Sequence, residues 1–456
     1  MSDLEPIFKA YDVRGVVPDQ FDPEIARAIG VGFARFVTSS DGEGVTRVLV
    51  ARDMRPSGVE MVAAFADGVR STGLDVVDLG LASTDLLYFA AGSLAAPGAM
   101  FTASHNPAQY NGIKFCRSGA RPVGENSGLT AIREVAESVL AGADGGDSSV
   151  SPGSITEQDL LGAFADHVRS FVDTSVLAPL KVVADTANGM GGLIVPAVFG
   201  PLPFDLEVMY GELDGTFPNH PADPIQPENQ ADLRARVLEV GADVGLAFDG
   251  DADRVFLVDE KGVGLSGSTT TAIIAAGILD RHPGETVIHN LICSKTVPEV
   301  VIEHGGTPVR TRVGHSFIKE VMASTGAIFG GEHSAHYYFR DNFRADSGII
   351  AALVVLEQLS EAGVSLSELR APFERYGDSG EINTRVSDTD SVIERVAAHY
   401  ASADQDRLDG LTVDCGDWWF NLRASNTEPL LRLNLEAADA EACAARVDEV
   451  RSVMAD

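Results

Sequence analysis

The run Gly98-Ala-Met-Phe-Thr-Ala-Ser-His-Asn-Pro-Ala-Gln-Tyr-Asn-Gly-Ile-Lys-Phe115 decides how this chain is read. It opens as a strand, Gly98 to Thr102, and breaks at Asn106-Pro107, a pair that favours a turn. Ser104 is therefore expected on a loop just past a strand end, where open α/β sheets bind ligands. Asn111-Gly112 predicts a second tight turn, with Lys114 returning on the next strand. One loop then presents a hydroxyl, an imidazole, an amide and an ammonium. Read alone, the same stretch is equally a polar surface turn in which Ser104 bonds only its own backbone.

Outward from this loop, strands and helices alternate. Thr46 to Ala51 and Asp75 to Leu79 predict strands, and Thr84 to Leu94 a helix, which argues for a layered, mainly parallel α/β domain over residues 1–150. Residues 142–153, rich in Gly, Ser and Asp, read as a linker. A second α/β unit, 151–257, has a helix expected at Glu157 to Phe171 and strands at Lys181 to Ala184 and Val244 to Phe248. The turn from Asp185 to Gly192 leads into a helix, so its N–H groups are candidates to face an anion. It fails as a dinucleotide fingerprint because Ile194 takes the third glycine position. A third α/β unit spans 258–372. Its helices are expected near Thr269 to Arg281, Lys295 to His304, Ser316 to Ser324 and Ser347 to Glu361. A smaller α+β domain with an antiparallel sheet, 373–456, closes the chain. Three α/β units of similar length suggest a threefold duplication, although no repeated motif marks it.

A chain of 456 residues is too long for one core, so three or four domains are expected. The formal charge of −33 repels nucleic acid and anionic membranes, and neither is expected as a partner. An anionic small molecule remains compatible if the few cations gather at its site. Cys116, Cys293, Cys415 and Cys443 are scattered, with no C-x-x-C pair, and are expected as buried free thiols. The N-terminus is acidic and lacks the apolar stretch of a signal peptide. The longest apolar run, Ile349 to Leu356, is too short to span a bilayer. A soluble cytoplasmic protein is expected, and its oligomeric state is open.

Asp249, Asp251 and Asp253 alternate with Gly250 and Ala252, and in an extended loop alternate side chains share a side. Three such carboxylates repel unless a cation lies between them, and oxygen-only ligands suit Mg²⁺ or Mn²⁺. The spacing also mimics a calcium-binding EF-hand loop, with Glu260 at its twelfth position. Its sixth position needs glycine and holds Arg254, and its flanks are β-like, so that reading is rejected. Arg254 adds a cation suited to phosphate. Arg423, Ser425, Asn426 and Thr427 form a polar hook that matches a phosphate dianion, with Arg432 adding charge from the next strand. A solvated hairpin fits that hook equally well. Glu332, Ser334 and His336 also alternate, and on one face of an extended segment they suit sugar hydroxyls. Two decoys are set aside. Gly377-Asp-Ser-Gly380 resembles a serine-protease tetrapeptide but is placed in a linker. Ser104 and His105 are sequence neighbours whose side chains are expected to point apart.

Taken with Lys9-Ala-Tyr-Asp-Val-Arg-Gly15, these stretches resemble the α-D-phosphohexomutase family, in the same order and across nearly the whole chain. The resemblance implies three similarly folded α/β domains and a smaller last domain around a central cleft. It implies Ser104 as a phosphoserine, with the metal on Asp249, Asp251, Asp253 and a phosphoserine oxygen. Phosphoryl transfer to a hexose 1-phosphate or 6-phosphate then gives a hexose 1,6-bisphosphate, which is also the activator, and the other phosphate returns to Ser104. Arg14, otherwise read as a surface ion-pair residue, is placed at the reacting phosphate beside Lys114. Tyr11, Arg254, Glu332, Ser334 and His336 are placed on the substrate, and the Arg423 hook on its non-reacting phosphate. Lys114, His315 and His336 are the proton-transfer candidates, although a lone histidine such as His315 at a helix start is more often a cap.

The chain departs from the family in two places. Ala335 stands where many members have glycine, and Ile292 where some dual-specificity members have lysine. The loop form and Ala252 imply mannose phosphate as the preferred sugar, glucose phosphate as a second, and phosphoglucosamine turnover as the alternative. A metal-dependent sugar phosphatase and a non-catalytic sugar-phosphate sensor are the alternatives of other classes.

Overall fold

The structure, a computed structural model, describes residues 3–41, 44–143, 150–424 and 430–455. Three times along the chain, a strand–helix–strand–helix–strand passage builds three parallel strands in the spatial order third, first, second. In the first passage, Arg47–Arg52 lies between Asp75–Leu81 and Gly98–Phe101. In the second, Lys181–Asp185 lies between Asp205–Met209 and Val244–Phe248. In the third, Thr286–Asn290 lies between Thr307–Thr311 and Phe329–Gly331. The shared order is the expected duplication, visible in topology. The inner strands are apolar runs, whereas the outer strands Asp205–Met209 and Thr307–Thr311 carry polar residues and are partly exposed. Val244–Phe248 is buried along its whole length, as a central parallel strand must be.

The first two passages each continue into an antiparallel strand on the third one's free edge, Tyr110–Arg117 and Val255–Asp259. Ile155–Glu157 joins the first sheet beside Asp75–Leu81. The first sheet therefore draws on residues beyond position 150. The last sheet is wholly antiparallel, in the order Gly377–Arg385, Leu430–Ala437, Trp419–Ala424, Leu411–Asp414, Asp404–Asp406. Helices Thr389–His399 and Ala440–Ala455 supply the rest of its core. Contacts group the chain into two compact units, residues 1–265 with 336–367 and residues 266–335 with 368–456. No single helix among the described residues is long and apolar enough to cross a membrane.

Several local expectations change. Asn111-Gly112 makes no turn but lies inside strand Tyr110–Arg117, because the chain has already reversed at Pro107 to Tyr110. Gly112 serves close approach instead, since a Cβ there would lie 2.1 Å from the Val13 carbonyl oxygen. The helix expected from Glu157 starts at Leu161, the preceding residues having joined the sheet. Gly377 to Gly380 is strand, not linker, because its backbone pairs with Leu430–Ala437. Of the segment read as a linker, residues 144–149 lie outside the described residues, while Gly153 donates to the Arg70 carbonyl at 3.0 Å. The four cysteines are free, and Cys415 is only partly buried because it lies one position past the end of strand Leu411–Asp414.

Helices Pro23–Asp41 and Gly58–Arg70 cross at backbone contact. A Cβ on Gly68 would lie 2.1 Å from the Arg27 carbonyl oxygen. Gly68→Ala is expected to destabilise by about 1–3 kcal/mol through overpacking, although alanine favours a helix by about 1 kcal/mol over glycine. A thermal unfolding midpoint at or above that of the unaltered chain would show that the crossing tolerates the methyl group.

Candidate active site

Each passage presents a loop after its third strand, and those loops carry the residues singled out above. Ser104 follows Gly98–Phe101, Asp249 follows Val244–Phe248, and Glu332 follows Phe329–Gly331. Strand order reverses at that position in each sheet, which is where α/β sheets open a crevice at the carboxyl ends of their strands.

Ser104 is 4% exposed, so it is not on a surface turn. Its φ of +49° lies in the left-handed region that favours glycine. Its N–H donates to Thr102 Oγ1 and its Oγ donates to Asp249 Oδ2, both at 2.9 Å. The left-handed turn also breaks the alternation expected of neighbours, and His105 Nδ1 lies 3.2 Å from Ser104 Oγ. That nitrogen is shared with the Arg254 guanidinium. Burial and the Arg254 charge hold the His105 pKa well below its ordinary value, so the ring is neutral.

The aspartate run is not extended either. It turns at Ala252, φ +61°, whose N–H donates to the Asp249 carbonyl at 3.2 Å. The turn folds three buried carboxylates together, one oxygen of each within 4.8 Å of the others. Lys114 Nζ donates to Asp251 Oδ2 at 2.7 Å and Asp253 Oδ2 at 2.6 Å. Arg254 donates to Asp249 Oδ2 through Nε at 2.9 Å and Nη2 at 2.7 Å. Burial pushes Asp249 up to about 7 against the pull of Arg254. Burial also opposes the charge on Asp251, but Lys114 and the Thr84 hydroxyl outweigh it and hold its carboxyl well below the usual range. Oδ1 of Asp251 and Oδ1 of Asp253 are buried without a hydrogen-bond partner among the described residues. Two orphaned oxygens in a buried set of hard donors fit a divalent cation.

His336 and Arg14 belong to the same unit. His336 Nδ1 lies 2.9 Å from Asp346 Oδ2. Burial works against a charged imidazole here, and the Asp346 bond outweighs it and raises the pKa. Arg14 donates from Nη1 to Asn106 Oδ1 at 2.8 Å and from Nη2 to Asp12 Oδ2 at 2.5 Å, so it lies on the Ser104 loop. Tyr11 is partly buried in the bend before strand Val13–Val16. Sequence reasoning missed Asp346 and Thr84, which stand beside helix starts and look like ordinary caps. Thr84 Oγ1 donates to Asp251 Oδ2 at 2.6 Å. The turn after Asp185 does not offer its N–H groups to an anion. Those of Ala187, Asn188, Gly189 and Met190 all bond within the protein, the last to the Gly250 carbonyl at 2.8 Å. That turn braces the aspartate loop.

In the other unit, Glu332 is buried and its Oε1 accepts from Asn290 Nδ2 at 3.1 Å and the Gly314 N–H at 3.0 Å. The segment turns rather than extends. Ala335, φ +64°, donates its N–H to the Glu332 carbonyl at 3.0 Å. It adopts a conformation that glycine takes without steric cost. The alternation argument therefore fails here, and Glu332 and Ser334 belong to one unit while His336 belongs to the other. His315 opens helix His315–Thr325, and its side chain lies outside the described residues. Ile292 is buried. Arg423 and Arg432 are directly opposed on paired strands. Glu381 lies 3.8 Å from the first and 3.4 Å from the second, and Asp409 lies 3.5 Å from Arg423. Ser425, Asn426 and Thr427 lie outside the described residues.

Asp251→Asn is expected to weaken divalent-cation binding, measured by calorimetry, by more than the about 10–100-fold that loss of a ligand's supporting hydrogen bond costs. Unchanged affinity would remove Asp251 from the site.

Four family models match the chain. The α/β/α domains I, II and III of phosphoglucomutase/phosphomannomutase match residues 5–141, 162–262 and 266–376, and the C-terminal domain matches 381–453. A Xanthomonas campestris protein described as phosphohexose mutases is 41% identical over 98% of this chain and 99% of its own. A Salmonella montevideo phosphomannomutase is 39% identical over 98% of each. The crystal structure of a phosphoglucomutase/phosphomannomutase family protein from Burkholderia thailandensis superposes with a TM-score of 0.89 at 32% identity, over 100% of this chain and 98% of its own. With three α/β domains, one antiparallel last domain and full-length relatives, this chain belongs to the phosphoglucomutase/phosphomannomutase family of hexose-phosphate mutases.

Proposed function

We propose that Ser104 carries the phosphoryl group and that mannose phosphate is the preferred substrate, with glucose phosphate a usable second. The observation that carries the reading is Ser104 Oγ, donating at 2.9 Å to an aspartate set that keeps two buried carboxylate oxygens unsatisfied. A free serine hydroxyl is a weak nucleophile, and a buried one beside cations is a suitable phosphoryl carrier. A sugar hydroxyl oxygen at C1 or C6 attacks the phosphorus, and the bond from phosphorus to Ser104 Oγ breaks. The attacking hydroxyl gives up its proton, and we name His336 as the acceptor because Asp346 stabilises its charged form. The resulting hexose 1,6-bisphosphate then donates its other phosphoryl group to Ser104 by the reverse steps. His315 remains a second proton-transfer candidate. Lys114, held charged by Asp251 and Asp253 despite its burial, acts as a fixed positive charge with Arg14 and Arg254. Mg²⁺ or Mn²⁺ on Asp249, Asp251, Asp253 and a Ser104 phosphate oxygen would supply further charge to offset the transferring phosphoryl group.

Glu332, Ser334 and Tyr11 are assigned to sugar contacts, and Arg423, Ser425, Asn426, Thr427 and Arg432 to the non-reacting phosphate. A phosphate dianion there competes with Glu381 and Asp409 for the two arginines. We assign four domains, 1–157, 158–259, 260–372 and 373–456, moving the expected boundaries at 150 and 257 so that the first two hold strands Ile155–Glu157 and Val255–Asp259. We place the enzyme in the cytoplasm, where phosphorylated sugars are retained by their charge.

Intact mass of the purified protein is expected to show a phosphate-sized increment that maps to Ser104, and Ser104→Ala is expected to abolish turnover with bisphosphate supplied. Normal mutase rates in that variant would end the phosphoserine reading. For the sugar, kcat/KM is expected to be highest with mannose 1-phosphate, lower with glucose 1-phosphate and poor with glucosamine 1-phosphate. Fastest turnover of the amino sugar would reverse that assignment.

A further inference from the structure

Arg55 is fully buried, and its guanidinium meets the backbone of the Ser104 loop. A guanidinium has five N–H donors in a fixed fork, and here all are engaged. Nε donates to Asp53 Oδ2 at 3.1 Å. Nη1 donates to the carbonyls of Pro107 at 2.8 Å and Tyr110 at 2.9 Å. Nη2 donates to those of Ser104 at 2.9 Å and Asn106 at 2.6 Å. The loop thus turns four carbonyls onto one buried cation. Asp53 fixes the base of the side chain, with Oδ1 accepting the Arg55 N–H at 2.9 Å, and its own N–H donates to the Phe101 carbonyl at 2.9 Å. The Phe217 ring covers the guanidinium, 5.1 Å from its centroid, and a Cβ on Gly215 would lie 2.6 Å from Arg55 Cα. The side chain has no room to swing aside.

The left-handed Ser104 conformation, φ +49°, is costly for a residue with a Cβ and persists only where surroundings impose it. Four inward carbonyls held by one planar fork are such surroundings. We propose that Arg55 is a positioning residue for phosphoryl transfer: it folds the loop from Ser104 to Tyr110 around its guanidinium and so aims Ser104 Oγ at the aspartates. This rests on Ser104 being the phosphoryl carrier. The same fixed charge lies beside a loop that gains a dianion whenever Ser104 is phosphorylated. Lysine cannot replace it, because three donors on a tetrahedral head cannot serve four carbonyls and Asp53.

The test compares Arg55→Lys and Arg55→Ala with the unaltered enzyme, using mannose 1-phosphate with bisphosphate supplied, below each variant's unfolding midpoint. A small displacement of a reacting group is expected to lower kcat about 10²-fold, while KM changes less than about twofold because sugar contacts are untouched. Added guanidinium ion, but not ammonium, is expected to restore part of the Arg55→Ala rate. The phosphoserine ³¹P resonance is expected to shift in Arg55→Lys. A role in stability alone would lower the unfolding midpoint and leave kcat and the resonance in place, which overturns the proposal. If Arg55→Ala does not fold, Arg55→Lys decides, since it keeps the charge beside Asp53. Phosphate at Ser104 in the unaltered enzyme with normal kcat in Arg55→Lys defeats this inference alone. Absence of phosphate there, with an active Ser104→Ala variant, defeats the phosphoserine reading instead.

Discussion

Three carboxylates folded into one buried turn are tolerable only with positive charge beside them. Asp249, Asp251 and Asp253 meet that constraint with Arg254 and Lys114, leaving two orphaned oxygens. Much of the first unit follows from it. Strand Tyr110–Arg117 must deliver Lys114, helix Thr84–Ser93 must begin where Thr84 reaches Asp251, and the Ser104 loop must end against Asp249. In a chain with a formal charge of −33, cations gathered at one acidic turn reflect local chemistry rather than the average surface.

The three α/β passages answer a shared mechanical demand in different ways. Each places a loop of candidate site residues after the third strand, and each supports it from the end of the first strand or the segment just after it. Arg55 gathers the carbonyls of the Ser104 loop. The turn after Asp185 donates the Met190 N–H to Gly250. Asn290 donates to Glu332. First and third strands are neighbours in every sheet, so their carboxyl-end loops meet and one can hold the other. Loops that carry unusual backbone conformations, as at Ser104, Ala252 and Ala335, need such support.

The last domain works by different physics. Its antiparallel sheet opposes Arg423 and Arg432 directly, an arrangement that is repulsive without an anion between or beside them. Glu381 and Asp409 supply that charge. The two guanidinium groups are thereby held side by side without net repulsion.

Residue type and order determined the class of the fold, the Ser104 loop and the chemistry of the aspartate set. Those readings depend on strand and turn preferences and on what carboxylates bind, which are local properties. The alternation arguments were legible but wrong in detail. Ala252 and Ala335 both take left-handed conformations, which no pattern of side chains announces, and both runs turn instead of extending. Arg55 and Thr84 were not legible as candidate site residues, because each looks like an unremarkable turn or cap until strands far apart in sequence bring its partner near, and Asp346 reads as a helix-start residue until the chain turns back to His336. Arg55 meets carbonyls around fifty positions away, and Thr84 meets Asp251 across 167. Only tertiary structure decides such contacts, since a hydrogen bond depends on where two groups meet in space and not on their separation along the chain.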